Sequence, residues 1–202
     1  VGDAGAARLR PRSSTLQQVM AEDFEGPFPG GLWTTFDADG ATHGEAFWGI
    51  DDYRVHGGSF SAWAARAGAN GVDPQYATYP DFMDSQMVYG PFSLVGYKSA
   101  QLAFHYWTES ETGWDWFSWA ASADGTDWSI GSKTSGSPLE WVGQTLDLTP
   151  LVGDDTVWIR FRFTSDEVWN YDGTWVDDIV VWGEPAVPDP FGKSSPAAGA
   201  VG

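Results

Sequence analysis

Two adjacent carboxylates, Asp177 and Asp178, interrupt the apolar stretch GTWVDDIVVWG at residues 173–183. An ionised carboxylate among apolar side chains is costly unless a cation or several hydrogen bonds satisfy it. Neighbouring strand residues point to opposite faces, so one of the two acids faces inward. It is Asp177 if Ile179 and Val181 share its face, and Asp178 if Val176 and Val180 do. A hard cation such as calcium takes six to eight oxygens at about 2.4 Å, and carboxylates on two neighbouring strands supply several of these. The plainer alternative leaves both acids in water at a sheet margin.

Other reactive residue types are less organised. His43, His56 and His105 show no HExxH-like metal spacing, and no GxSxG elbow surrounds any serine. Glu109, Glu111 and Asp115 in TESETGWDWF form the densest carboxylate group, and two acids suffice for glycoside hydrolysis. Gly113 and Trp114 break the pattern of two Glu flanking an Asp along one strand, so the expectation is a non-catalytic protein. DADG at 37–40 reads as an Asx-stabilised turn and SADGTDW at 122–128 as a hairpin turn.

The chain has 13 Trp in 202 residues, too many for one small core, so several must be partly exposed. Exposed indoles stack on sugar rings or cover a sheet where another chain docks. Trp107, Trp114 and Trp158 are the outward-facing candidates for ligand binding.

Charge narrows the partners. Ten basic against 28 acidic residues give a formal net charge of -18, which repels a nucleic-acid backbone. Without cysteine there is neither a disulfide framework nor a thiolate metal site. No apolar run is long enough to cross a membrane as a helix, and the first residues lack a signal peptide's apolar stretch, so export implies a leader already removed or a domain excised from a longer chain. Residues 1–18 hold Arg8, Arg10 and Arg12 against Asp3, about +2, whereas residues 19–202 carry -20. Residues 185–202 have the Pro, Ala, Gly and Ser content of a linker. The expected organisation is a basic arm (1–18), a folded domain (19–184) and a C-terminal arm (185–202). A basic arm and an acidic body are complementary. The arm could add as a strand to the edge of another copy, and head-to-tail repetition of that contact builds a filament.

Period-two alternation sets the fold class. TVWIRFRFTSD places Val157, Ile159, Phe161 and Phe163 on one face and Trp158, Arg160 and Arg162 on the other; AQLAFHYWTE alternates in the same way. Regular turn signals separate such runs, which indicates an all-β, two-sheet antiparallel β-sandwich of jelly-roll kind. Helical signal is confined to SSTLQQVMAEDF, with Ser14 as cap, while SFSAWAARAG is ambiguous between helix and strand.

EDFEGPFPGGLWTTFDADG, GPFSLVGYKSAQLAFHYW, LDLTPLVGDDTVWIRFRFTSD and GTWVDDIVV, in that order, resemble the MAM-like jelly-roll modules found at the C-terminal ends of secreted bacterial peptidases similar to immune inhibitor A. The resemblance spans roughly residues 21–183. It implies two packed antiparallel sheets, no catalytic machinery, and a structural calcium at the matching positions Glu22, Asp23, Glu25, Asp177 and Asp178. The combined expectation is a secreted, calcium-stabilised cell-surface protein that works by self-assembly or adhesion, with a glycan-binding accessory module as the alternative.

Overall fold

The computed structural model describes residues 16–186. In chain order its strands are β1 (Gln17–Glu22), β2 (Trp33–Asp37), β3 (Phe47–Asp51), β4 (Ser61–Ala67), β5 (Asp84–Phe92), β6 (Tyr97–Glu109), β7 (Trp116–Ser122), β8 (Ile130–Thr134), β9 (Val142–Asp147), β10 (Val157–Thr164) and β11 (Gly173–Pro185). A 3-10 turn at Thr149–Leu151 is the only helical element among the described residues. One sheet has the order β3-β4-β11-β6-β9 with β1 added to β11, and the other has the order β2-β5-β10-β7-β8. All the pairings are antiparallel. The all-β jelly-roll sandwich expected from the alternation is the observed fold.

The core lies between the sheets. Val157, Ile159, Phe161 and Phe163 of β10 are completely buried, each contributing roughly 1.5–3 kcal/mol by leaving water. Phe104 of β6 meets Phe161 edge-on at 4.9 Å and Trp119 of β7 at 5.5 Å. Even-numbered β6 residues therefore face inward, which puts His105 and Trp107 on the outer face of their sheet.

Two local expectations change. Gln17–Glu22 is strand, not helix: so short a helix is marginal in water without a packing partner, whereas the open edge of β11 offers backbone hydrogen bonds. Gln17 and Gln18 thus belong to the sandwich rather than to an arm, and they pair with Gly183 and Trp182 of their own chain. The ambiguous SFSAWAARAG contains β4, in which Ser61–Ala65 are completely buried. Burial on both faces hides the alternation that marks a half-exposed strand.

β11 divides one edge between two partners. Trp175 and Val176 pair with β4, while Ile179 to Gly183 pair with β1. Between these segments the register against β6 slips, and Asp178 adopts φ 50°, a left-handed conformation that Asp tolerates better than most residues. This bulge inserts one residue, so Val176, Ile179 and Val181 all face the core. A strict period of two allowed only one of those sets.

Candidate functional site

Asp177 is completely buried, yet on the outer side of its sheet, opposite His105. The loop joining β3 to β4, residues 52–60, covers it. Asp177 Oδ2 accepts the N–H groups of His56 (2.9 Å) and Gly57 (3.1 Å), and Oδ1 accepts the N–H of Asp178 (2.8 Å). Burial pushes the Asp177 carboxyl above its usual pKa, against the opposing pull of these three donors. Glu25, in the connection after β1, grips the same loop, its Oε1 accepting Ser59 N–H (2.6 Å) and Phe60 N–H (2.9 Å).

The loop explains Trp107. The Arg54 guanidinium lies 3.4 Å from the centroid of Trp107 and 4.3 Å from that of Trp175, and it pairs with Asp172 at 3.0 Å. Trp63 stacks on Trp175 at 5.5 Å, and Trp107 meets Trp175 edge-on at 5.3 Å. Trp107 is 6% exposed. It points outward, as the alternation requires, but the loop leaves it no free face for a sugar, which corrects its expected role as a binding platform. Trp114, in the turn after β6, is 66% exposed, and Trp169, which sequence spacing did not single out, is 70% exposed.

The five acids proposed for calcium do not converge. Glu22 accepts Phe24 N–H (2.9 Å) and Asp23 accepts Glu25 N–H (3.2 Å), while Glu25 and Asp177 hold loop amides. Asp178 turns to His56, with Oδ2 2.6 Å from Nδ1. Donor N–H groups stand where a calcium shell needs oxygen lone pairs, so as placed these residues do not fit that ion.

Sequence spacing missed the two histidines that meet here. His56 and His105 stack with ring centroids 3.7 Å apart and planes 12° apart, and Trp141 meets His56 edge-on at 5.5 Å. His105 Nδ1 is 3.9 Å from Asp178 Oδ2. Burial, and then the neighbouring His56, hold the pKa of His105 below its usual value. With 48 residues between them in the sequence, only the loop crossing reveals this pair.

Within the acid cluster of TESETGWDWF, Asp115 has a structural role. Asp115 is completely buried, bonded to the Tyr79 hydroxyl and to Asp166 N–H (2.8 Å). It ties three loops together.

The outer face of the second sheet is different in kind. Its rows run Lys133, Ser118, Arg162 and Gly131, Ala120, Arg160 across β8, β7 and β10. A Cβ at Gly131 would lie 2.5 Å from the Trp119 carbonyl oxygen, so this part of the floor stays bare. Around the floor lies a depression of about 240 Å³ lined by Trp128, Arg160 and Lys133. The Arg160 guanidinium sits 4.4 Å from the Trp128 centroid, and the Lys133 ammonium 3.6 Å from that of Trp116. Half-buried Trp158 flanks Arg160 on β10. Six Lys and Arg are described, and four pair with carboxylates: Arg54 with Asp172, Arg66 with Asp51, Lys98 with Glu184 and Arg162 with Asp84. The two cations with no carboxylate within 4 Å among the described residues, Arg160 and Lys133, both border this depression. Arg8, Arg10 and Arg12 lie outside the described residues.

No family model matches the chain, and no curated protein does. Solved structures do. The K3 cleaved adhesin domain of Lys-gingipain from Porphyromonas gingivalis W83 is similar at TM-score 0.56 and 20% identity, covering 82% of this chain and 98% of that one. The K1 cleaved adhesin domain of the same protein is similar at 0.52 and 18%, covering 83% and 97%. The CBM22-1 xylan-binding domain of Xyn10C from Paenibacillus barcinonensis is similar at 0.50 and 9%, covering 85% and 97%. At these identities the likeness shows the shared fold: the chain is a β-sandwich of the architecture that these adhesin and xylan-binding domains adopt.

Proposed function

We propose that this chain is a non-catalytic, extracellular adhesive module that binds glycans bearing acidic groups on the outer face of β7, β8 and β10. The observation that carries this reading is the depression lined by Trp128, Arg160 and Lys133. An indole supplies an apolar platform for the C–H face of a sugar ring. Arginine forms paired charge-assisted hydrogen bonds with a carboxylate or sulfate. In a chain of net charge -18, two cations without a carboxylate partner among the described residues are the local exception to a field that repels anions. Similarity of fold to adhesin and xylan-binding domains supports a binding role, as does the MAM-like order of sequence motifs. Trp158 and the exposed Trp114 are secondary contacts in this reading.

A glycan array spanning neutral, uronic-acid and sulfated oligosaccharides tests it. Retention of acidic glycans with weak or no retention of their neutral counterparts is the expected result; retention of neither removes the proposal. Self-assembly through Arg8, Arg10 and Arg12 is a separate proposal with its own measurement. An assembling chain sediments as oligomers that dissociate when all three arginines become alanine.

A further inference from the structure

Apart from the glycan face, one constellation of side chains has the chemistry of a ligand site and no role in the fold described above. His56 comes from the β3–β4 loop, His105 from the outer face of β6 and Asp178 from the bulge of β11. One ligand atom from each lies within 4.8 Å of the others, the only such group of three His, Cys, Asp or Glu among the described residues. His105 Nδ1 is shielded from solvent and has no hydrogen-bond partner, although its neighbours include Asp178.

We infer that His56, His105 and Asp178 form a binding site for a borderline transition-metal ion of the zinc class. Two imidazoles and one carboxylate are the donors that zinc prefers, whereas calcium and magnesium take oxygen alone. Zinc bonds of about 2.0–2.1 Å in a tetrahedron place neighbouring donors roughly 3.3 Å apart. The observed separations from Asp178 Oδ2, 2.6 Å to His56 Nδ1 and 3.9 Å to His105 Nδ1, straddle that value. Ligation requires the two stacked rings to turn out of parallel so that both imidazole lone pairs face the ion, a movement that equalises these separations and gives the orphaned His105 nitrogen a partner.

The backbone holds two of the ligands in place. Asp177 accepts the N–H of both His56 and Asp178, so one buried carboxylate fixes the loop ligand against the bulge ligand. Such outer contacts commonly set affinity by a factor of about 10–100. The side chains of the three ligands are 33%, 36% and 40% exposed, so an ion enters from solvent and keeps an open coordination position. Bound there, it would clamp the loop to two strands at the place where β4 gives way to β1 along β11.

The test uses the untagged full chain and zinc chloride alone. With only three histidines in the chain, imidazole resonances can be followed one by one during the titration, with His43 as internal control. The expected result is one equivalent bound, with the His56 and His105 resonances shifting and that of His43 unchanged. Calorimetry should show affinity falling at least tenfold in His56→Ala and in His105→Ala, and also in Asp178→Asn. Metal-free melting temperatures report whether each variant folds; the wild-type resonances decide the matter without them. Absence of binding, or shifts at His43 alone, overturns the inference. Neither result bears on the glycan face, which lies on the other sheet.

Discussion

Asp177 Oδ2 accepts the backbone N–H of His56 at 2.9 Å, joining positions 121 residues apart. With the bonds to Gly57 and Asp178, it makes the buried acid an anchor for the β3–β4 loop, and the loop in turn buries Trp107 and shapes the outer face of its sheet.

The two adjacent acids should therefore differ sharply on substitution. Asp177→Ala leaves three backbone donors without an acceptor, two of them in the half-exposed loop, and should cost about 3 kcal/mol or more. Asp178→Asn, which keeps a residue tolerant of the left-handed φ, weakens only a partly exposed contact with His56 and should cost about 1 kcal/mol or less. Urea unfolding of both variants in metal-free buffer measures the difference. Equal losses would mean that the loop is not hung on Asp177.

Among the tryptophans, burial predicts the order of effects. Trp107→Ala opens a cavity beneath Arg54 and should destabilise by about 3–5 kcal/mol, leaving glycan affinity of the folded fraction intact. Trp114→Ala at its exposed turn should stay within about 0.5 kcal/mol of the parent. Thermal melts combined with binding assays separate the two.

The pH dependence follows from Asp115 and Asp51, both buried with pKa values raised chiefly by burial above 3.8. A raised folded-state pKa means that the folded chain binds protons more tightly than the unfolded chain. Stability therefore falls as pH rises from about 4 through the raised values, and the loss is complete above them. Asp124 and Asp147, whose pKa values are lowered by hydrogen bonds, act in the opposite sense but at the surface. Relief of the acidic chain's self-repulsion reinforces the first trend. His105, held below 6.5 chiefly by burial, acts in the opposite sense at higher pH, so the comparison belongs below its titration: the urea midpoint should fall between about pH 4 and about pH 5.5, and a rise there would contradict this account.

Calcium is open to a direct melt. Because the oxygens of Asp177 and Glu25 already hold loop N–H groups, chelation of calcium should leave the melting temperature unchanged to within about 1 °C, less than the shift of about 2–4 °C that 1 kcal/mol produces in a domain of this size. A larger drop, restored by added calcium, would require these carboxylates to release the loop and regroup around the ion.

Much of the fold was legible because β10 is a half-buried strand: Val157, Ile159, Phe161 and Phe163 alternate with Trp158, Arg160 and Arg162 as the pleat dictates. The same alternation put Arg160 on the outer face, so part of the candidate glycan surface was readable. Trp128 was not, since it follows a turn and only tertiary folding brings it to Arg160. The bulge at Asp178 was hidden because one inserted residue reverses the parity on which strand reading depends. The fates of Trp107, His56 and His105 depended on where the loop of residues 52–60 crosses the sheet, and no local pattern encodes that crossing.

The most direct test of the proposed function is calorimetric titration of Arg160→Ala and Lys133→Ala beside the parent chain, using an acidic oligosaccharide retained on the array. The account predicts that each variant keeps the parent's melting temperature, binds about tenfold or more weakly, and loses part of its sensitivity to salt. Unchanged affinity in both variants would contradict it and move the ligand off the outer face of β7, β8 and β10.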